Sequence, residues 1–184
     1  MNCIVSLESF GSQARALKSD PPMKKPLIVS SSADAPPAEW RALLEEATRE
    51  VFELMLSSKL EASTSDSIPA FEFTSMVGLA GELRGVLTLC CTEKSAALMA
   101  SKMLGLAVED VDEHIWDALG EITNMVAGNF KNKLPGISER CVLSVPTVIT
   151  GSSYTCHSMA DAGSIEIQLQ FLRVPVQVSL ELHS

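Results

Sequence analysis

The chain has 184 residues, 46% of them hydrophobic, which is enough for one well-buried core and too few for two domains of comfortable size. Its formal net charge is −9 and all of the excess acid lies after residue 35: the first 35 residues hold four basic and three acidic side chains, leaving ten basic against twenty acidic in the rest. A domain so acidic repels phosphate backbones and anionic bilayers, which sets aside nucleic acid and membrane surfaces as partners.

The longest apolar runs are only a few residues, and Met1 to Phe10 carries Glu8 with no lysine or arginine ahead of an apolar block, unlike a secretory signal. The expectation is a soluble, cytoplasmic protein. Five cysteines (Cys3, Cys90, Cys91, Cys141, Cys156) form an odd set without metal-ligand spacing. They read as small buried hydrophobes.

Residues 1–36 are rich in Ser, Pro and Lys and show no sustained periodicity, so they are expected to be a tail outside a domain of residues 37–184. Leu27-Ile28-Val29 is the one apolar triplet there that could pair as an edge strand. After Pro36-Pro37, Trp40, Leu43, Leu44, Ala47, Val51, Leu54 and Met55 recur at helical steps, predicting an amphipathic cover for a sheet, broken by the Ser and Thr of residues 63–67 and by Pro69. Phe71 and Phe73 then alternate with Glu72 and Thr74, and residues 83–91 read as a second strand, with a turn near Gly81.

Thr92 is placed to cap a helix over residues 93–104, whose apolar side is Ala96, Met99, Ala100 and Met103 and whose stop is Gly105. Asp110 and Glu113 have capping-box spacing ahead of a third helix that ends before Pro135-Gly136. Beyond residue 140 the pattern is β-rich: residues 141–150, residues 154–159, then Ile165, Ile167, Leu169 and Phe171 on odd numbers and Val174, Val176, Val178, Leu180 and Leu182 on even ones. A tight hairpin or a bulged, bent strand would both explain that flip of phase. The fold class expected is α+β, a mainly antiparallel sheet backed by helices.

The third helix carries the candidate site. At 100° per residue, Ile115, Leu119, Ile122, Val126 and Phe130 form one apolar stripe, while Asp117, Glu121, Asn124, Gly128 and Lys131 gather opposite. Six acids (Glu109, Asp110, Asp112, Glu113, Asp117, Glu121) lie within thirteen residues without one lysine or arginine, offering a partner a negative surface at a helix start. Gly128 gives up about 1 kcal/mol of helix propensity against alanine, which makes sense if another backbone must approach there. A solvated helix side is the plain alternative for these residues.

The run Asp117-x-x-x-Glu121-x-x-Asn124-Met125-Val126-Ala127-Gly128-Asn129-x-Lys131, with Leu143-Ser144-x-Pro146 and Gly151 downstream, resembles the CheX/CheC family of chemotaxis phosphatases, and its single Glu-x-x-Asn is like the CheX branch. The resemblance spans residues 38 to 184 in order of elements. It implies a helix docked into the receiver domain of a phosphorylated CheY-type response regulator, with Asn124 placing a water in line with the aspartyl phosphate and Glu121 pairing with a receiver lysine. Asp117, Gly128 and Lys131 would face the partner, Mg2+ would belong to the receiver, and this chain would need no metal or cofactor of its own. A homodimer is also implied.

The chemistry is physically coherent, because phosphoryl transfer needs positioning more than covalent help, and a neutral carboxamide orients water without repelling phosphate. A module that docks receivers without hydrolysing the phosphate is the competing expectation, since fold alone does not fix activity. His114, His157 and His183 are scattered, and no glycine-rich phosphate loop or nucleophile elbow is present.

Overall fold

The computed structural model describes residues 36–63, 70–151, 154, 157 and 160–184. The expected tail and the triplet Leu27-Ile28-Val29 lie outside the described residues. Pro37 presets the chain direction into helix α1 (Ala38–Leu56), which buries Leu44, Ala47, Thr48, Val51, Phe52 and Leu56. The expected apolar side is therefore rotated: Phe52 and Leu56 go inward, whereas Leu54 stands 74% exposed.

The helix also stops earlier than its polar breaker run suggests. Ser57 adopts a left-handed conformation and its N–H closes on Phe52 O, after which Leu60–Ala62 forms β1, an element absent from the sequence reading. Arg49 holds β1 in place by donating to Leu60 O while its guanidinium also bonds Glu45 at 2.6 Å.

Strands β2 (Phe73–Gly81) and β3 (Gly85–Cys91) form the expected hairpin, with Gly81 at φ 119° leading the turn. Helix α2 (Glu93–Leu104) begins and ends where its sequence signals say: Thr92 Oγ1 accepts from the Ser95 N–H at 3.2 Å, and Gly105 closes in the left-handed region. Helix α3 (Ile115–Lys133) enters differently. Two short 3-10 turns, Val108–Asp110 and Asp112–His114, precede it, and no side chain caps it. The expected capping box of Asp110 and Glu113 does not form, because the tighter turns place both acids in exposed segments before the first α-helical residue.

Residues 141–150 divide into β4 (Cys141–Leu143) and β5 (Thr147–Thr150), both antiparallel to β2. Of residues 154–159 only Tyr154 and His157 are described, and neither is in a strand; the rest of that expected strand lies outside the described residues. Strands β6 (Ser164–Phe171) and β7 (Val174–Leu182) settle the flip of phase as a hairpin: Leu172 and Arg173, at φ 50° and 67°, make a two-residue turn. Two positive φ angles match the twist of the flanking strands, at about 1 kcal/mol or more for each side-chain-bearing residue. Pro175 is tolerated because pairing of β7 with β3 starts only at Val176.

The strand order is β1-β6-β7-β3-β2-β4, with β5 also on β2, and every pairing is antiparallel. On the three central strands one alternate set is buried, including Val77, Leu87, Leu89, Val176, Val178 and Leu180, and it joins the inward sides of all three helices in one apolar cluster. Phe130 of α3 meets Trp40 edge-on at 6.2 Å, and Phe52 of α1 meets Phe171 at 5.5 Å. Cys91 and Cys141 are buried thiols whose acidity is suppressed by burial, as small hydrophobes should be. No described helix is long and apolar enough to cross a membrane.

Candidate active site

Helix α3 lies over β2, with α1 on one side and α2 on the other. Ile115, Leu119, Ile122, Val126 and Phe130 are all buried, as the stripe predicts, and Ala118, Gly120, Thr123 and Ala127 widen that inward face. Each fully buried aliphatic or aromatic side chain contributes roughly 1.5–3 kcal/mol, so the helix is held chiefly by this side. Ser75 Oγ of β2 donates to Leu119 O at 3.3 Å, and Thr123 Oγ1 donates to the same oxygen at 2.7 Å.

On the outward side the five sequence-predicted residues divide. Asp117 and Glu121 are exposed and Asn124 is half-buried; among the described residues none of the three side chains takes part in a hydrogen bond or ion pair. Asp117 and Glu121 stand four residues apart on one helix face, a like-charge arrangement that opposes helix formation by roughly 0.2–0.5 kcal/mol. Among the described residues no ion pair neutralises them.

Gly128 is open: a Cβ there would meet only Leu143 Cδ1, at 3.9 Å. No backbone among the described residues comes within 4 Å of that position, apart from the helix's own. Lys131 behaves otherwise, since its ammonium donates to Cys141 O at 2.7 Å and ties the helix to the start of β4.

Two open grooves flank the outward side. Glu121, Asp117, His114, Trp116 and Gly120 line one together with Met103 and Leu104 of α2 and Pro146 and Val148. Asn124, Gly128, Asn129 and Asn132 line the other with Glu50, Val51 and Leu54 of α1 and Leu143. Glu121 and Asn124 therefore stand on a ridge between them, each facing a different trough. Large apolar side chains are exposed on both flanks, Trp116 at 46% on the first and Leu54 at 74% on the second.

Several contributors escaped the sequence reading. Trp116 could have been noticed as an aromatic lying off the apolar stripe and among acids. Gly120 could have been noticed as a second glycine inside the helix, on its inward side: a Cβ there would sit 3.3 Å from Pro146 Cβ. Asn129, prominent in the motif, donates to Ala47 O at 3.2 Å and to Glu50 Oε2 at 2.8 Å, and Lys133 pairs with Glu46 and Glu50 at 3.1 and 2.9 Å. These two join α3 to α1. The Lys133 ammonium, then the Asn129 amide, hold the Glu50 carboxyl below its ordinary range.

Among the described residues no three His, Cys, Asp or Glu side chains gather to hold a metal ion. What the ridge offers is a carboxylate for a cation and a carboxamide that can donate and accept, both free and both accessible.

Comparison with known proteins shows the family. Residues 73–170 match the family model described as chemotaxis phosphatase CheX. The CheY-P phosphatase CheX of Thermotoga maritima is 30% identical over 77 residues, covering 41% of this chain and 50% of that protein. The chain thus spans about half the length of that curated relative. Among solved structures, chemotaxis protein CheX from Vibrio vulnificus superposes with a TM-score of 0.68 at 22% identity, over 79% of this chain and 100% of that one. The Borrelia burgdorferi structure of a CheX-CheY-BeF3-Mg2+ complex gives 0.60 at 21% identity, over 79% and 98%.

Proposed function

This chain belongs to the CheX family, and from that membership we propose that it removes the phosphoryl group from the aspartyl phosphate of a CheY-type response regulator. The observation that carries the proposal is the free pair Glu121 and Asn124 on a ridge between two open grooves. In the proposed complex Asn124 holds a water in line with the phosphorus, its amide oxygen accepting a hydrogen bond from the water and leaving a lone pair of the water directed at the phosphate. The water oxygen bonds to phosphorus, the bond to the aspartate oxygen breaks with its electron pair, and the products are aspartate and inorganic phosphate, the water proton passing to phosphate or solvent.

Charge on the phosphoryl oxygens is met by the receiver's own Mg2+ and lysine. Glu121 binds that lysine, which removes the penalty of a carboxylate beside phosphate and fixes the register of the two proteins. Asp117 and Gly128 lie along the same contact, the glycine admitting close approach, and residues 37–184 act as the docking unit in the cytoplasm. The complex of CheX with CheY, BeF3 and Mg2+ from Borrelia burgdorferi supports this kind of partnership.

The test is phosphate release from a Mg2+-bound, phosphorylated receiver. Acceleration is expected with the wild-type protein and its loss with Asn124→Ala. Receivers that bind but hydrolyse at their spontaneous rate would replace the enzyme by a docking module. For Glu121→Ala both turnover and apparent affinity should drop, and an unchanged affinity would remove the lysine-pairing role.

A further inference from the structure

We infer that a one-residue bulge between β4 and β5 fixes where Glu121 and Asn124 stand, with Gly120 and Pro146 as positioning residues; the inference rests on the function proposed above. Because neither site side chain has a partner among the described residues, the backbone of α3 determines where they project. That backbone is gauged against the sheet at residues 119 and 120, immediately before Glu121.

The bulge is visible in the register. Leu79 of β2 faces Leu143 and Met76 faces Thr147, so Val77 and Gly78 are opposed by three residues, Ser144, Val145 and Pro146. Ser144 closes the distortion: its N–H donates to Gly78 O at 2.9 Å, and its Oγ accepts from the Gly78 N–H at 2.9 Å while donating to Val145 O at 2.8 Å. A side-chain oxygen thereby replaces the backbone acceptor that the ladder loses.

Val145 is turned out to 83% exposure, and Pro146 is pressed against α3 where Gly120 has no side chain. A Cβ on Gly120 would lie 3.3 Å from Pro146 Cβ, closer than side chains ordinarily settle, and 3.6 Å from its Cγ, an ordinary contact. The Ser75 bond to Leu119 O, from the strand that β5 pairs with, holds the preceding residue. The bulge and that bond together set the depth of the helix above the sheet. Productive geometry for an in-line water is narrow, and a misplacement of about 1 Å can reduce a rate by roughly 100-fold.

Gly120→Ala separates positioning from folding, because alanine favours the helix where glycine opposes it, while its methyl must push Pro146 by a few tenths of an ångström. At saturating phosphorylated receiver its turnover should fall by roughly 5- to 30-fold with little change in apparent affinity or Tm. Adding Pro146→Gly vacates the Cβ position and should recover turnover to within roughly threefold of wild type. Should Gly120→Ala not fold, Ser144→Ala opens the bulge without touching α3, and the same selective loss of turnover is expected.

Wild-type turnover in Gly120→Ala, or in Ser144→Ala where that variant stands in, would overturn the inference and leave the proposed function intact. A loss that Pro146→Gly fails to relieve would overturn it too. A wild-type protein that accelerates no receiver would instead defeat the function on which it rests, so the two failures are distinct.

Discussion

The two halves of the outward side of α3 are built from similar residues and treated in opposite ways. In the second half Asn129, Lys131 and Lys133 all bond to α1 or to β4, and Asn132 accepts from Ser138 at 2.8 Å. In the first half Asp117, Glu121 and Asn124 bond to nothing among the described residues, although Asp117 and Glu121 repel. A helix can use polar groups to fasten itself or leave them free, and among the described residues the change falls between Asn124 and Asn129. Membership of the polar side alone does not assign a role, since Lys131 belongs to the same stripe as Glu121 yet bonds Cys141 O at 2.7 Å.

The sharpest way to break this contrast is to truncate one asparagine from each half and read both stability and phosphate release. Asn124→Ala should reduce turnover by roughly 100-fold or more while shifting stability by no more than about 0.5 kcal/mol, as a surface change with no partner to lose. Asn129→Ala should do the reverse. It strands the Glu50 carboxylate's second donor contact and the link to Ala47 O, and should destabilise the fold by roughly 1–2 kcal/mol in urea melts with turnover per folded molecule near wild type. Loss of turnover without loss of stability in Asn129→Ala would erase the distinction between the halves.

Lys131→Met sharpens it further with a smaller effect. Removing the bond to Cys141 O should cost about 1 kcal/mol, and receiver affinity should hold if that ammonium serves the domain. A tenfold weaker complex with unchanged stability would instead return Lys131 to the partner contact that its place in the motif suggests.

What could be read from the chain alone follows the range of the interactions concerned. Helix α2 was legible to the residue because its signals are local: Thr92 accepts from an amide three residues on, and Gly105 supplies the left-handed stop. The core stripe and the free pair of α3 were legible because helical periodicity places them. Strand β1 was not, since three residues become a strand only by pairing with Leu169–Phe171 and by the hold of Arg49, contacts that no local pattern encodes. The turn at Leu172 and Arg173 lacks the glycine or asparagine that would have announced it. The bulge that sets the site was hidden for the same reason as β1: an extra residue in β4–β5 exists only relative to β2.

The smallest expected effect concerns pH and belongs to the fastened half. Glu50 is held below its ordinary 4.5, first by the hydrogen bond from Lys133 and next by that from Asn129, and Lys133 is held above 10.5, first by Glu50. A lowered carboxyl contributes stability that is present above 4.5 and lost as pH falls through its lower folded value. A raised ammonium contributes stability that is complete below 10.5 and lost as pH rises through its higher folded value. The clasp between α1 and α3 should therefore be at full strength between those limits and weaken outside both. Glu50→Gln removes the acid limb, so the Tm difference between wild type and variant should be constant through neutrality and narrow as pH drops below 4.5. The Glu50 side chain is half exposed, so the narrowing will be modest and will shrink further in high salt. A Tm gap that persists undiminished in acid would mean that Asn129 and packing, not the ion pair, join the two helices.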